Sequence, residues 1–319
     1  MELAGRIAVV TGAGDGMGRQ LVHQLMASGA HVAAIDISES GLADTKATAV
    51  ADGVRLTTHV VDVADEQQLI GAAADIRAQH QTDHIHLLFN NAGIGGGGSF
   101  FTDDRATWER TFNIDWGGVY LGVRTFLPLL VAADQARIVN TSSVNGFWAS
   151  LGPRSPHTSY SAAKFAVKGF TEALITDLRN NAPHVTCAVV MPGHIGTGIV
   201  ANSRKIFTGN SSDQLSAVEL AGARARMATA GVDVDRLSDD DIQQFVDEQA
   251  RHFAEKAPTT AAQAARIILD GVRADQWRIL VGDDAHELDR RVRSDPESAY
   301  TVEFYDSFTS EVGWGLGGL

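Results

Sequence analysis

An α/β fold, a parallel sheet doubly wound with helices on both faces, is predicted by three features of this sequence. Short apolar runs alternate with longer segments of helical periodicity from the first residues onward, the pattern of successive βαβ units. The short runs are apolar throughout rather than at alternate positions, as strands buried on both faces must be. A glycine-rich turn joins the first run to the first helical segment, the place where such sheets take their ligands.

In chain order the strands are RIAVVTG, HVAAIDI, VRLTTHVVDV, HIHLLFNNAG, QARIVNTSS and VTCAVVMPG, with a last one, WRILVG, at 277–282. Their β-branched content suits strands. Helical periodicity covers 17–28, 39–51, 65–79 and 105–130, and a stretch near 260–274. The sum is a sheet of about seven strands in one domain over residues 1–283. The interval 198–258, after the sixth strand, is too long for a strand-to-helix loop. Within it Ser238 precedes three aspartates, an N-cap with acids in the first turn. A helix through DDDIQQFVDEQARHF is expected, so the insertion is helical. The tail, 284–319, is charged and then aromatic; Phe304–Phe308 and Trp314 predict docking on the body or on a neighbouring subunit.

The 319 residues are 44% apolar, enough for a substantial core. Lys and Arg number 26 against 39 Asp and Glu, a formal net charge of −13, which repels nucleic acid and anionic lipid. No apolar stretch has the length of a membrane span, and MELAGRIAVV reads as the first strand rather than a signal peptide. The single cysteine, Cys187, lies in an apolar strand and is expected to be a buried structural thiol. A reducing, cytoplasmic setting fits.

Gly12, Gly16 and Gly18 are spaced GxxxGxG between strand and helix. Glycines there let the backbone approach a diphosphate, and the helix N-terminus beyond offers free N–H groups. This is the dinucleotide turn of a Rossmann-type sheet. Asp36 ends the second strand, where an acid accepts both ribose hydroxyls and repels a 2′-phosphate. Asp15 adds negative charge inside the turn, and no Lys or Arg follows Asp36 until Lys46. The cofactor expected is therefore NAD rather than NADP.

In TSYSAAKFAV, residues 158–167, Tyr160 and Lys164 stand at i and i+4 of a predicted helix, so both side chains face one space. An ammonium there favours phenolate and brings the phenol toward use at neutral pH. His157 and His194 have no acid or second histidine at ligand spacing, so no metal site is expected.

The glycine turn, NNAG at 90–93, the Tyr-x-x-x-Lys pair and PGHIGT at 192–197, in that order, resemble the short-chain dehydrogenase/reductase family in its compact single-domain branch, over about 3–198 and 259–283. The resemblance implies roles. Tyr160 is the general acid/base, and Lys164 lowers its pKa and holds the nicotinamide ribose. Ser143 hydrogen-bonds the substrate oxygen. Asp62, with Val63 beside it, contacts adenine; Asn91, Ala92 and Gly93 line the ribose. Thr197, after Pro192, Gly193 and Ile195, meets the carboxamide, while Met17 and Ile37 border the cofactor. The family's proton-relay asparagine falls on Asp115 in a gapless register through Trp108 and Gly118; a shift of two would place Asn113 there.

FWASLGPRSPHTS is longer than this family's usual loop between serine and tyrosine and must bulge outward. Asn145, Phe147, His194 and Phe207, with Ser143 and Tyr160, are the expected substrate contacts. The cluster Phe147, Trp148, Ile199, Val200, Ile206 and Phe207 reads either as a lid over a bulky hydrophobic alcohol or ketone, cyclic, terpenoid or steroid-like, or as the insertion's own small core. The function expected is NAD-dependent hydride transfer with a secondary alcohol or ketone, a bulky and hydrophobic small molecule. The competing reading is a non-catalytic NAD-binding redox sensor or scaffold, and a cofactor-retaining isomerase or dehydratase is more distant. The apolar faces of 119–131 and 165–178 fit a homodimer or homotetramer, and equally packing on the sheet.

Overall fold

The computed structural model describes residues 1–312 apart from 51, 97, 102, 154, 230 and 231. The expected Trp314 therefore lies outside the described residues. The strands are β1 (Ile7–Thr11), β2 (His31–Asp36), β3 (Leu56–Val60), β4 (Leu87–Asn90), β5 (Ala136–Thr141), β6 (Val185–Pro192), β7 (Ile195–Gly196), β8 (Thr259–Thr260) and β9 (Arg278–Val281). Seven of them form one parallel sheet in the order β3-β2-β1-β4-β5-β6-β9, while β7 and β8 pair separately. The order reverses between β1 and β4. A crevice opens there at the carboxyl ends of the strands.

The helices are α1 (Gly16–Ala27), α2 (Glu39–Thr48), α3 (Glu66–His80), α4 (Arg105–Phe112), α5 (Gly118–Val131), α6 (Thr158–Asn181), α7 (Ile199–Thr208), α8 (Ala217–Thr229), α9 (Asp239–Glu255), α10 (Ala261–Arg273), α11 (Asp283–Ser294) and α12 (Val302–Val312). The pleat divides each strand between two cores. Ala8 and Val10 join Leu21, Leu25, Ile268 and Val272 from α1 and α10. Ile7 and Val9 join Leu69, Ile76, Phe126 and Leu174 from α3, α5 and α6.

Two elements differ from the sequence reading. β3 stops at Val60 because Asp62 starts a turn, its Oδ1 accepting from Ala64 N at 2.9 Å. The helix expected over 105–130 is split by a π-helical turn, Asn113–Gly117. That widened turn faces Asp115 into the protein, where it is 0% exposed.

The insertion forms α7, α8 and α9. Ser238 caps α9 in a reciprocal capping box with Asp241. Ala223, Met227 and Ile242 make a separate small core between α8 and α9. α11 and α12 close a further cluster in which Leu288 and Phe308 pack with Trp148, Val189, Met191 and Leu280.

Candidate active site

At the crevice the glycine turn, the loop after β4 and the segment after β6 lie side by side. Gly12 has φ +67, and a Cβ on it would sit 2.8 Å from the Ala92 Cα. Glycine alone suits both demands. A Cβ on Gly18 would collide with the Gly12 carbonyl oxygen, and one on Gly16 would lie 3.0 Å from Thr197 Cγ2. Thr11 Oγ1 accepts from the backbone N–H groups of Asn91 and Ala92, both at 3.0 Å. Asn91 Nδ2 donates back to the Thr11 carbonyl at 3.1 Å. Its Oδ1 is buried without a partner among the described residues.

Asp36 accepts from Gly14 N and Ser38 N, each at 2.8 Å. Burial raises its carboxyl pKa above the ordinary value, against the pull of those hydrogen bonds. Asp15 stands at the N-cap of α1 with no side-chain cap bond. A glycine-rich turn at a helix N-terminus, an orphaned amide oxygen and a strand-end carboxylate with spare lone pairs fit a dinucleotide's diphosphate and ribose. Of the other expected neighbours, Asp62 holds its own turn and Ile37 is exposed. Val63 is buried against Gly118, and Met17 packs on the core under α1.

At the other end of the crevice α6 presents Tyr160 and Lys164 on one face, as their spacing predicts. Ser143 stands close enough to Tyr160 for its hydroxyl to favour the phenolate. Ser143 Oγ also accepts from Asn145 N at 3.1 Å, at the start of a short 3-10 turn. Lys164 is buried; its Nζ donates to the Thr141 carbonyl at 3.3 Å and lies 5.3 Å from the Tyr160 ring centroid. Asp115 Oδ1 is 3.5 Å from that Nζ and accepts from Ile94 N at 2.9 Å. Asn113 is exposed. Gly93 borders the pair so closely that a Cβ would sit 2.6 Å from Asp115 Oδ1 and 3.2 Å from Lys164 Nζ.

Lys164 does act to lower the phenol pKa, as expected, but the net direction is upward. Burial pushes Tyr160 above its ordinary value and Asp115 adds to that, while Lys164 and the Ser143 hydrogen bond oppose it. Burial depresses the Lys164 ammonium, but Asp115 first and Tyr160 next more than compensate, and its net direction is upward.

Several expected contacts are placed elsewhere. Asn145 is buried, and its Nδ2 donates to the Trp148 and Ser150 carbonyls, each at 2.9 Å, bracing the loop rather than facing a ligand. Phe147 packs into the cluster under α11 and α12, with the Arg278 guanidinium 5.9 Å from its ring centroid. Trp148 is buried in the same cluster. His194 is a buried brace: its N–H donates to Asp284 Oδ2 at 2.6 Å, and its Nε2 is 2.8 Å from the Phe253 carbonyl. Burial lowers its pKa. The Ile195 side chain belongs to the core, and Gly193 N donates to the Val281 carbonyl at 3.0 Å, just beyond the β6–β9 register that ends at Pro192.

Phe207 does border the crevice. A Cβ on Gly96 would lie 2.8 Å from its Cζ, and Ile199 flanks Gly95. Asn202 Nδ2 donates to Asp15 Oδ2 at 2.8 Å, and Ser203 Oγ accepts from Gly95 N at 2.7 Å. α7 is thus pinned to both cofactor-side loops. These pins were not read from the sequence, nor was His157, whose ring centroid lies 4.6 Å from that of Tyr160. Also missed was a buried amide ladder, Asn90 Nδ2 to Asn140 Oδ1 at 2.8 Å and Asn140 Nδ2 to Thr171 Oγ1 at 3.0 Å. Asparagines inside the strand runs FNN and VNT were its only signal.

Among the described residues no group of three or more His, Cys, Asp or Glu could hold a metal ion, and no helix is long and apolar enough to cross a membrane. A family model described as short chain dehydrogenase matches residues 6–207. The Mycobacterium tuberculosis protein named "Putative oxidoreductase SadH" is 33% identical over 285 residues, 89% of each chain. Levodione reductase of Leifsonia aquatica is 32% identical over 205 residues, 63% of this chain and 73% of that one. Among solved structures, a short chain dehydrogenase/reductase from Burkholderia phymatum in complex with NAD matches with TM-score 0.75 and 28% identity, covering 94% of this chain and 97% of that one.

Proposed function

The chain belongs to the short-chain dehydrogenase/reductase family, and from that premise we propose that it is an NAD-dependent enzyme exchanging a hydride with a bulky, hydrophobic secondary alcohol or its ketone. Oxidoreduction at a CH–OH group of a small molecule comes with the family. The observation that carries the rest is the placement of Ser143 beside Tyr160 with Lys164 behind it. A reacting oxygen bound between the two hydroxyls meets a proton donor or acceptor in Tyr160 and a hydrogen-bond donor in Ser143. Lys164, fixed by Thr141 and Asp115, carries the positive charge that steadies a phenolate once the proton has left. The bound nicotinamide supplies or accepts the hydride. Asp36, Asp15 and the glycine turn select NAD, and Gly93, Asn91 and Thr197 line its path.

Bulk and hydrophobicity are inferred from α7, which holds Ile199 and Phe207 over Gly95 and Gly96. Exposed Tyr120 and Val131 on α5 and Phe165 on α6 supply apolar surface for a homo-oligomer. The test is NADH fluorescence with a panel of cyclic and linear secondary alcohols, on the native chain and on Tyr160→Phe. NADH release that the substitution abolishes is expected. NAD binding without turnover on any alcohol, unchanged by Tyr160→Phe, would overturn the reading.

A further inference from the structure

We propose that the Asp115 carboxylate tunes this site toward carbonyl reduction: paired with Lys164, it keeps the Tyr160 phenol protonated to higher pH than the lysine alone would allow. The inference rests on the dehydrogenase reading for its chemistry, though the charge coupling stands on geometry. Asp115 is 0% exposed, and its Oδ1 is shared between Lys164 Nζ at 3.5 Å and Ile94 N at 2.9 Å. Its Oδ2 is buried without a partner among the described residues. A buried carboxylate with an unsatisfied oxygen is costly to keep, and an isosteric amide would offer the same acceptor to Ile94 N. What the amide lacks is charge.

That charge acts at short range. Gly93 borders both groups so closely that a Cβ there would crowd Asp115 Oδ1 and Lys164 Nζ, and both side chains are buried from solvent. Lys164 alone would place one uncompensated positive charge 5.3 Å from the Tyr160 ring centroid. Burial raises the Asp115 carboxyl above its ordinary pKa, against the pull of Lys164 and the Ile94 N–H; in its ionised form it cancels the lysine charge, and the field favouring phenolate falls. The other titratable group facing Tyr160 is His157, whose ring centroid lies 4.6 Å away at the start of α6. The end of β5 contributes the Thr141 carbonyl, which holds Lys164, and Ser143 follows it; neither titrates in this range. Burial is the largest cause of the phenol's upward direction; Lys164 opposes it, and Asp115 acts in the raising sense.

A protonated phenol is the form needed to reduce a ketone. Hydride adds to the carbonyl carbon, the carbonyl oxygen takes the Tyr160 proton, and solvent returns a proton to the tyrosine. The total is ketone, NADH and one proton giving alcohol and NAD. Oxidation needs the phenolate and is displaced to alkaline pH.

The test is a near-ultraviolet absorbance titration of the full chain, with Tyr160→Phe subtracted to isolate one phenol, repeated on Asp115→Asn. A fall of the phenol midpoint by about one pH unit or more is expected in the variant. The alkaline rise of alcohol oxidation should move down with it, and ketone reduction at neutral pH should slow. A midpoint unchanged or raised overturns the inference. A midpoint that falls in a protein turning over no alcohol or ketone upholds the coupling and overturns the dehydrogenase reading instead. Asp115→Ser, which also removes the charge, serves if the asparagine variant does not fold.

Discussion

The indole Nε1–H of Trp148 donates to the backbone oxygen of Ala299 at 2.6 Å, 151 positions along the chain. Around that bond Phe304 and Phe308 pack against the indole, with ring centroids at 5.9 and 6.1 Å, and Tyr300 Oη accepts from Ala149 N at 3.1 Å. The loop between Ser143 and Tyr160 is thereby clamped by the C-terminal segment. Trp148→Phe, which keeps most of the volume, should cost about 1–3 kcal/mol for the orphaned carbonyl. Trp148→Ala should cost about 3–5 kcal/mol, because the indole is fully buried. Denaturant melts would check both. Equal, small losses would show that the clamp contributes little.

This clamp also marks where sequence reading stopped short. The strands, the glycine turn and the Tyr160–Lys164 face were legible because each depends on near neighbours and a fixed period. Phe147 and Trp148 were not, since an aromatic residue in a loop beside the site packs inward or under with the same local pattern. What decides is Ala299, Phe304 and Phe308, remote in the sequence. The π turn was hidden for a different reason: one extra residue in a helix of this length leaves the apolar pattern nearly unchanged, yet it faces Asp115 inward. Asn145 and His194 look like ligand contacts by residue type. Their side chains meet backbone carbonyls, which no side-chain pattern reports.

Asp36 should set the cofactor preference. NADH is expected to bind at least tenfold more tightly than NADPH, about 1.4 kcal/mol, because a carboxylate at the ribose repels a phosphate. Asp36→Asn retains an acceptor for Gly14 N or Ser38 N while removing the charge. The ratio of dissociation constants, from quenching of intrinsic fluorescence, should then fall toward one. A ratio near one in the native chain would refute the NAD assignment.

Acid should unfold the protein through buried histidines. Burial lowers His80 and His86 from the ordinary histidine value to about 4, with neighbouring arginines adding to the effect. Both side chains are used in neutral form: His80 Nε2 is 2.9 Å from Thr57 Oγ1, and His86 Nδ1 accepts from Ile7 N at 3.0 Å. Their folded values lie below the unfolded one. The stability they contribute is therefore complete above about pH 6.5 and is lost as pH falls toward 4. Each should account for on the order of 2 kcal/mol of that loss. Denaturant melts at neutral pH and near the acid end should show the fall, and His80→Gln should remove on the order of 2 kcal/mol of it. An unchanged pH dependence in that variant would assign the acid loss elsewhere.

Substrate size should be read by Phe207. Its ring closes over Gly96 beside Thr111, on a helix held to the cofactor-side loops by Asn202–Asp15 and Ser203–Gly95. Because α8 and α9 pack chiefly on each other around Met227 and Ile242, removing most of the insertion would confuse loss of their core with loss of a lid. A single side chain separates the two. Burying a large apolar substrate against a phenyl ring is worth about 1.5–3 kcal/mol, which a small alcohol cannot collect. Phe207→Ala should therefore raise KM roughly tenfold or more for a cyclic, many-carbon alcohol, and hardly at all for a short one. kcat should change little for either, since a phenyl ring takes no part in the proton or hydride transfer. If KM rises equally for large and small alcohols, α7 holds the cofactor rather than the substrate, and the bulky-substrate reading fails.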